Sequence, residues 1–121
     1  MIYTNRFRMD VYCEERPWGR FEKFNENTPC TVKLLYINHG SRLSLQYHTK
    51  RNEFWRIIKG QALVQVQDKK VHLTEGENIA IPKGAKHRIT APNSDCVILE
   101  LSFGEFDEND IVRIEDDYKR I

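Results

Sequence analysis

Apolar and polar residues along this chain alternate in short runs instead of recurring at helical spacing. The clearest case is QALVQVQ at 61–67, where Ala62, Val64 and Val66 share one parity and Gln61, Leu63, Gln65 and Gln67 the other. Leu63 is the single apolar residue on the polar side. Such alternation marks a strand buried on one face, as in antiparallel sheets. Comparable runs rich in β-branched and aromatic residues predict strands at 2–12, 18–24, 31–38, 42–48, 53–59, 61–68, 70–74, 78–82, 86–91 and 97–103. Turn-forming residues separate them at 25–29, 39–40, 49–52, 69, 75–76, 83–84 and 92–95. The charged tail at 107–121 is expected as a short helix or an ordered extension. Many short strands with little helix between them predict an all-β, antiparallel fold, closed so that few strand edges stay exposed.

At 121 residues the chain fits one domain, 1–121, with a strand extension at 1–14. Nineteen Lys and Arg against eighteen Asp and Glu leave a net charge of +1. No global field therefore favours nucleic acid or an anionic membrane, and an anionic ligand must be caught by a local cluster. Cys13, Cys30 and Cys96 are odd in number and widely spaced, which argues against a disulfide framework and for a reducing compartment. The first ten residues carry Arg6, Arg8 and Asp10 and no apolar core of a signal peptide. No apolar run approaches the roughly 20 residues of a membrane helix. A cytoplasmic protein is expected.

The chemistry concentrates in GSRLSLQYHTKRNEFWRIIKG at 40–60. Gln46 and His48 lie two apart on a predicted strand, so both side chains leave the same face. Glu53 opens the next strand, beside that pair if the two strands form a hairpin. Later, GENIAIPKGAKHRI delivers His87 just after Pro82 and Gly84 re-aim the chain. Two imidazoles, a carboxylate and an amide oxygen suit one borderline divalent ion, zinc being the expected one. Gln46 or His48 alone reads as an ordinary strand residue; the joint spacing of Gly40, Gln46, His48, Glu53 and Gly60 with Gly76, Pro82, Gly84 and His87 is far more specific.

Both segments resemble the two cupin motifs, with Gln46 where the first His usually stands. More narrowly, RPWGRFEKF (16–24), GSRLSLQYH (40–48), IPKGAKHRI (81–89) and DIVRIEDDYKR (110–120) resemble the type II mannose-6-phosphate isomerases, over about residues 15–120. In that family the cupin is often the C-terminal part of a bifunctional mannose-1-phosphate guanylyltransferase and also occurs alone. The resemblance implies a cupin barrel, a double-stranded β-helix or jelly roll, with Gln46, His48, Glu53 and His87 as metal ligands. It implies interconversion of mannose 6-phosphate and fructose 6-phosphate through a cis-enediol. It implies no guanylyltransferase activity here, because the Gly-rich nucleotide loop of the bifunctional relatives is missing from the sequence. This chain departs from the family pattern QxHxHRxEHW, carrying Lys50 and Phe54 in place of two further histidines. Its ending reads DYKR instead of DYGR, and Ala91 stands where an Asn is common, with Asn93 two residues on.

A sugar phosphate needs a cationic clamp, for which Arg88, Arg113 and Arg120 are the substrate-binding candidates. Lys33 is a candidate if it faces inward, but its strand has apolar residues at both parities and its phase stays open. Proton transfer needs a base, and Glu100 and Lys33 are the candidates. Trp55 shares a face with Glu53 and either walls the pocket or belongs to the core, while Trp18 is expected to anchor the N-terminal strand. The alternative function is a metal-holding cupin that binds a sugar or sugar phosphate without turnover, favoured by Lys50 and Phe54. An iron-dependent dioxygenase is disfavoured by Gln46, and a metal-free deoxysugar epimerase has no use for the ligand set. Leu34, Tyr36 and Leu63 on outward faces, with the 2–12 strand as a lone edge, predict a homodimer.

Overall fold

The computed structural model describes residues 11–120. In it the alternating runs become eleven strands: β1 (Tyr12–Arg16), β2 (Gly19–Lys23), β3 (Thr31–Ile37), β4 (Leu45–Tyr47), β5 (Arg51–Lys59), β6 (Ala62–Val66), β7 (Lys69–Leu73), β8 (Asn78–Ile81), β9 (His87–Thr90), β10 (Cys96–Gly104) and β11 (Val112–Glu115). No helix occurs among the described residues, so none is long and apolar enough to cross a membrane. Two antiparallel sheets dominate, one ordered β3-β10-β5-β8 and the other β11-β4-β9-β6-β7. From β3 onward every step along the chain except β6 to β7 changes sheet, the connection pattern of a jelly roll.

The inward parities of both sheets meet in one core containing Trp55, Ile57, Val64, Val66, Leu73, Ile79, Ile89 and Ile98. Ala62, Val64 and Val66 are fully buried, as their alternation predicts, and Leu63 is half-buried on the other side of β6. Burying each large aliphatic side chain stabilises the fold by roughly 1.5–3 kcal/mol. Strand β10 runs between β3 and β5, and its register sets Glu100 opposite Lys33 on one side and Trp55 on the other. This places three polar or aromatic side chains in a row at one end of the apolar core.

Strands β1 and β2 form a hairpin against the outer face of the four-stranded sheet. Phe24 packs on Phe54 with ring centres 5.8 Å apart, and Arg56 pairs with Glu22 at 2.6 Å. Trp18 sits at the tip of this hairpin and is 73% exposed, so it does not anchor the N-terminal strand as expected. The predicted 2–12 strand lies outside the described residues except for its last two positions. The predicted 42–48 strand shortens to Leu45–Tyr47, with Arg42 joined to Thr90 by an isolated bridge. The tail is an ordered extension: β11 pairs with β4 and completes the five-stranded sheet.

Candidate metal centre

Gln46 and His48 do not reach Glu53 through a hairpin, because β4 and β5 belong to opposite sheets. The turn between them carries the chain across the barrel, so the two strands face each other and their side chains meet from opposite walls. Strand β9 pairs with β4 and sets His87 directly beside Gln46. His48, Glu53 and His87 are all buried, and one ligand atom from each lies within 4.8 Å of the others. Gln46 lines the same cavity of about 150 Å³.

The hydrogen bonds fix which ring nitrogens face inward. His48 Nδ1 lies 2.6 Å from the Asp110 carbonyl oxygen, which only accepts, so Nδ1–H donates and Nε2 keeps its lone pair. His87 Nδ1 donates likewise to the Ala85 carbonyl at 2.9 Å. Both Nε2 atoms therefore present lone pairs toward Glu53, whose Oε2 lies 3.7 Å from His48 Nε2 and whose Oε1 lies 3.5 Å from His87 Nε2; only the His48 lone pair has a donor, Arg51 Nη2 at 3.2 Å. Burial pushes the His87 pKa down, which keeps the imidazole neutral. Glu53 Oε1 is buried with no hydrogen-bond partner. The Arg51 guanidinium bridges His48 Nε2 and Glu53 Oε2, but His87 Nε2 and Glu53 Oε1 are two acceptors 3.5 Å apart that repel unless a cation lies between them. Two ligands about 2.0–2.1 Å from a tetrahedral ion stand roughly 3.4 Å apart, close to the spacings found here. The residues fit a divalent ion, and the carbonyls on the two Nδ1 atoms hold the imidazoles in the tautomer such an ion requires.

Around these ligands the cavity is lined by Lys33, Arg51, Glu100, Glu108 and Arg113. The phase of β3 is settled: Lys33 faces the cavity, while Val32, Leu34 and Tyr36 face solvent. Lys33 Nζ pairs with Glu108 at 2.8 Å and lies over the Phe106 ring. Glu100 is buried, and burial, reinforced by the nearby Glu53 charge and opposed by Lys33, raises its pKa to about 7. Trp55 is fully buried core, but it also serves the site. Its indole N–H donates to Glu100 at 3.2 Å, and its ring meets that of His87 edge-on at 5.4 Å.

Two predicted substrate residues sit elsewhere. Alternation along β9 turns Arg88 away from His87 and into a cleft on the outer face of the five-stranded sheet, where it bonds Leu43 O and Glu115. Arg120 pairs with Asp116 at 2.6 Å and does not line the cavity. The residues replacing the family's further histidines do not line it either. Lys50 pairs with Glu105, and Phe54 lies under the β1–β2 hairpin.

Arg51 and the segment 105–111 reach the site without having been expected there. Arg51 bonds Glu53 Oε2 through Nε at 3.1 Å and His48 Nε2 through Nη2 at 3.2 Å. Its signal was twofold: it stands at the Arg of the pattern QxHxHRxEHW, and it lies two residues before Glu53 on the same parity of β5. Asp110 opens the DIVRIEDDYKR segment, but nothing in its spacing ties it to the ligands. Its carboxylate accepts from the Thr49 and Lys50 backbone N–H groups and the Thr49 hydroxyl, all at 2.9 Å, and the first-named bonds hold its pKa near 2 against partial desolvation. These contacts clamp the crossover turn that carries His48.

Comparisons with known proteins agree with this architecture. The chain is 38% identical over 112 residues to the alginate biosynthesis protein AlgA of Pseudomonas aeruginosa, covering 90% of this chain and 23% of that protein. It is 34% identical over 121 residues to the mannose-1-phosphate guanylyltransferase ManC of Salmonella typhimurium, covering 98% of this chain and 25% of ManC. The chain thus spans about a quarter of the length of these relatives. Among solved structures, the 4-keto-6-deoxy sugar epimerase NovW of Streptomyces spheroides superposes with a TM-score of 0.68 at 12% identity, covering 86% of this chain and 66% of NovW. A cupin protein from Bacteroides fragilis gives 0.59 at 19% identity, covering 69% and 75%. At such identities these two likenesses speak for the fold alone, a cupin barrel. Residues 4–116 match the family described as mannose-6-phosphate isomerase C-terminal, and this chain belongs to that family.

Proposed function

We propose that this chain is a metal-dependent isomerase that interconverts mannose 6-phosphate and fructose 6-phosphate through a cis-enediol. One observation carries the reading: the facing lone pairs of His48, His87 and the unpartnered Glu53 Oε1 share a cavity with a second buried carboxyl group, Glu100. A divalent ion on His48, Glu53 and His87, with Gln46 completing the set and zinc the expected metal, would supply a Lewis acid for the two sugar oxygens.

The chain's own residues supply the rest. Glu100, poised near neutrality and oriented by Trp55, is suited to take a proton from one sugar carbon and return it to the next. Lys33, ion-paired with Glu108, acts as a cation toward the phosphate, and Arg113 on β11 adds a second positive group at the cavity wall. The name of AlgA points to polysaccharide biosynthesis as the setting.

A cupin that binds the sugar phosphate without turnover is the alternative. Lys50 and Phe54 no longer favour it, since neither position lines the cavity. Proton NMR in deuterated water with metal-loaded protein separates the two. Isomerisation predicts interconversion of the two sugar phosphates with solvent deuterium entering a carbon-bound position. Calorimetric binding with neither conversion nor label would establish the binding module instead.

A further inference from the structure

We infer that Arg51 is a built-in competitor for the metal centre, so that uptake of the ion frees its guanidinium to hold an anionic group in the cavity. The inference rests on the metal-centre reading above.

His48 has one lone pair to offer, because its Nδ1–H is committed to the Asp110 carbonyl. Arg51 Nη2 lies 3.2 Å from that lone pair on Nε2, and an ion bound to His48 must take it. Glu53 is different. Arg51 Nε uses only Oε2, and Oε1 has no partner. An approaching ion therefore finds Glu53 Oε1 and His87 Nε2 ready and only His48 engaged. The guanidinium need not leave the site, being anchored by Nη1 on the Asp107 carbonyl at 3.2 Å and by the Phe106 ring 4.5 Å from Cζ.

Once His48 turns to the metal, Nη2 is a charged donor in a buried residue that is only 6% exposed. Leaving such a donor unpaired is costly, and an anion beside Lys33 and Arg113 in the same cavity satisfies it. Metal and anion should then strengthen each other's binding by the same factor. For a sugar phosphate this would make the ion a condition for tight phosphate binding as well as for chemistry.

The test uses the full chain, stripped with chelator and titrated calorimetrically with cobalt(II), whose visible spectrum also reports its coordination. Inorganic sulfate serves as the tetrahedral dianion probe, with chloride at equal ionic strength as control. In the wild type, sulfate should tighten cobalt binding about fivefold or more. Arg51→Met should bind cobalt roughly tenfold tighter than wild type without sulfate, the size of one charged hydrogen bond removed. The same variant should lose the sulfate effect. Arg51→Lys, which keeps the charge but cannot bond His48 and Glu53 together, should shift in the same direction and serves if the methionine variant fails to fold. Cobalt affinity in either folded variant equal to or weaker than wild type, or a wild-type affinity indifferent to sulfate, overturns the inference while leaving the metal centre standing. Absence of cobalt binding in every protein overturns both.

Discussion

Replacing Glu100 with glutamine should remove a pH dependence that the wild-type fold carries. Glu100 is buried between Lys33 and Trp55 on β10, and its pKa rises from 4.5 to about 7 through burial and then the Glu53 charge. A folded state that keeps a proton the unfolded chain releases above pH 4.5 binds more protons across that window, so stability falls as pH rises through it. The contribution is complete below about 4.5 and gone above about 7. At 1.36 kcal/mol per pH unit the whole interval is worth roughly 3 kcal/mol. Glutamine keeps an oxygen to accept the Trp55 indole N–H and cannot ionise. The stability of Glu100→Gln relative to wild type should therefore rise by about that amount between pH 4.5 and 8. His87, with its depressed pKa, destabilises both proteins as pH falls below 6.5, and this cancels in the difference. Urea unfolding of chelator-treated protein, followed by far-UV circular dichroism at several pH values, measures it. A difference that stays flat across the window would show that Glu100 ionises like an ordinary carboxylate, and would remove it as the proton carrier.

Other substitutions probe the surroundings of the site. Gly104→Ala should destabilise the protein by about 1–3 kcal/mol in thermal unfolding, because φ is +116° and a Cβ would sit 2.5 Å from the Lys50 carbonyl oxygen, beside Arg51. Lys33→Ala should raise KM for the phosphorylated sugar with little change in kcat; a fall in kcat alone would assign Lys33 to proton transfer instead. Val32, Leu34 and Tyr36 expose half or more of their surface along edge strand β3, and a homodimer is expected to cover them. Light scattering giving a mass near 14.4 kDa at micromolar concentration would contradict that assembly.

Much of this was legible in the sequence. Alternation at 61–67 gave the buried face of β6, and the spacing of Gln46, His48, Glu53 and His87 marked a set of side chains that the fold places around one cavity. Their convergence was foreseen, but its route was not. A hairpin and a sheet-to-sheet crossover both bring Glu53 near His48, and only tertiary pairing distinguishes them. Lys33 could not be phased because β3 is apolar on both sides, one parity facing the core and the other solvent. Arg88 was misplaced although the period-two rule applied to it: the residue after an inward His87 must point outward. Strand β11 was hidden because VRIE, although it alternates, is only four residues in a charged tail, with Val112 and Ile114 exposed, and it becomes a strand by pairing with β4. Trp18 misled because its size suggests burial, whereas the RPWG turn sets it at the exposed tip of a hairpin.

The metal centre itself is tested most directly by anomalous diffraction at the zinc edge from crystals of the full chain grown with zinc. One strong peak is expected, bounded by His48 Nε2, His87 Nε2 and Glu53 Oε1, with the Arg51 guanidinium withdrawn from His48. A zinc-saturated crystal with no peak among these residues, and with Arg51 still bonded to His48, would contradict it.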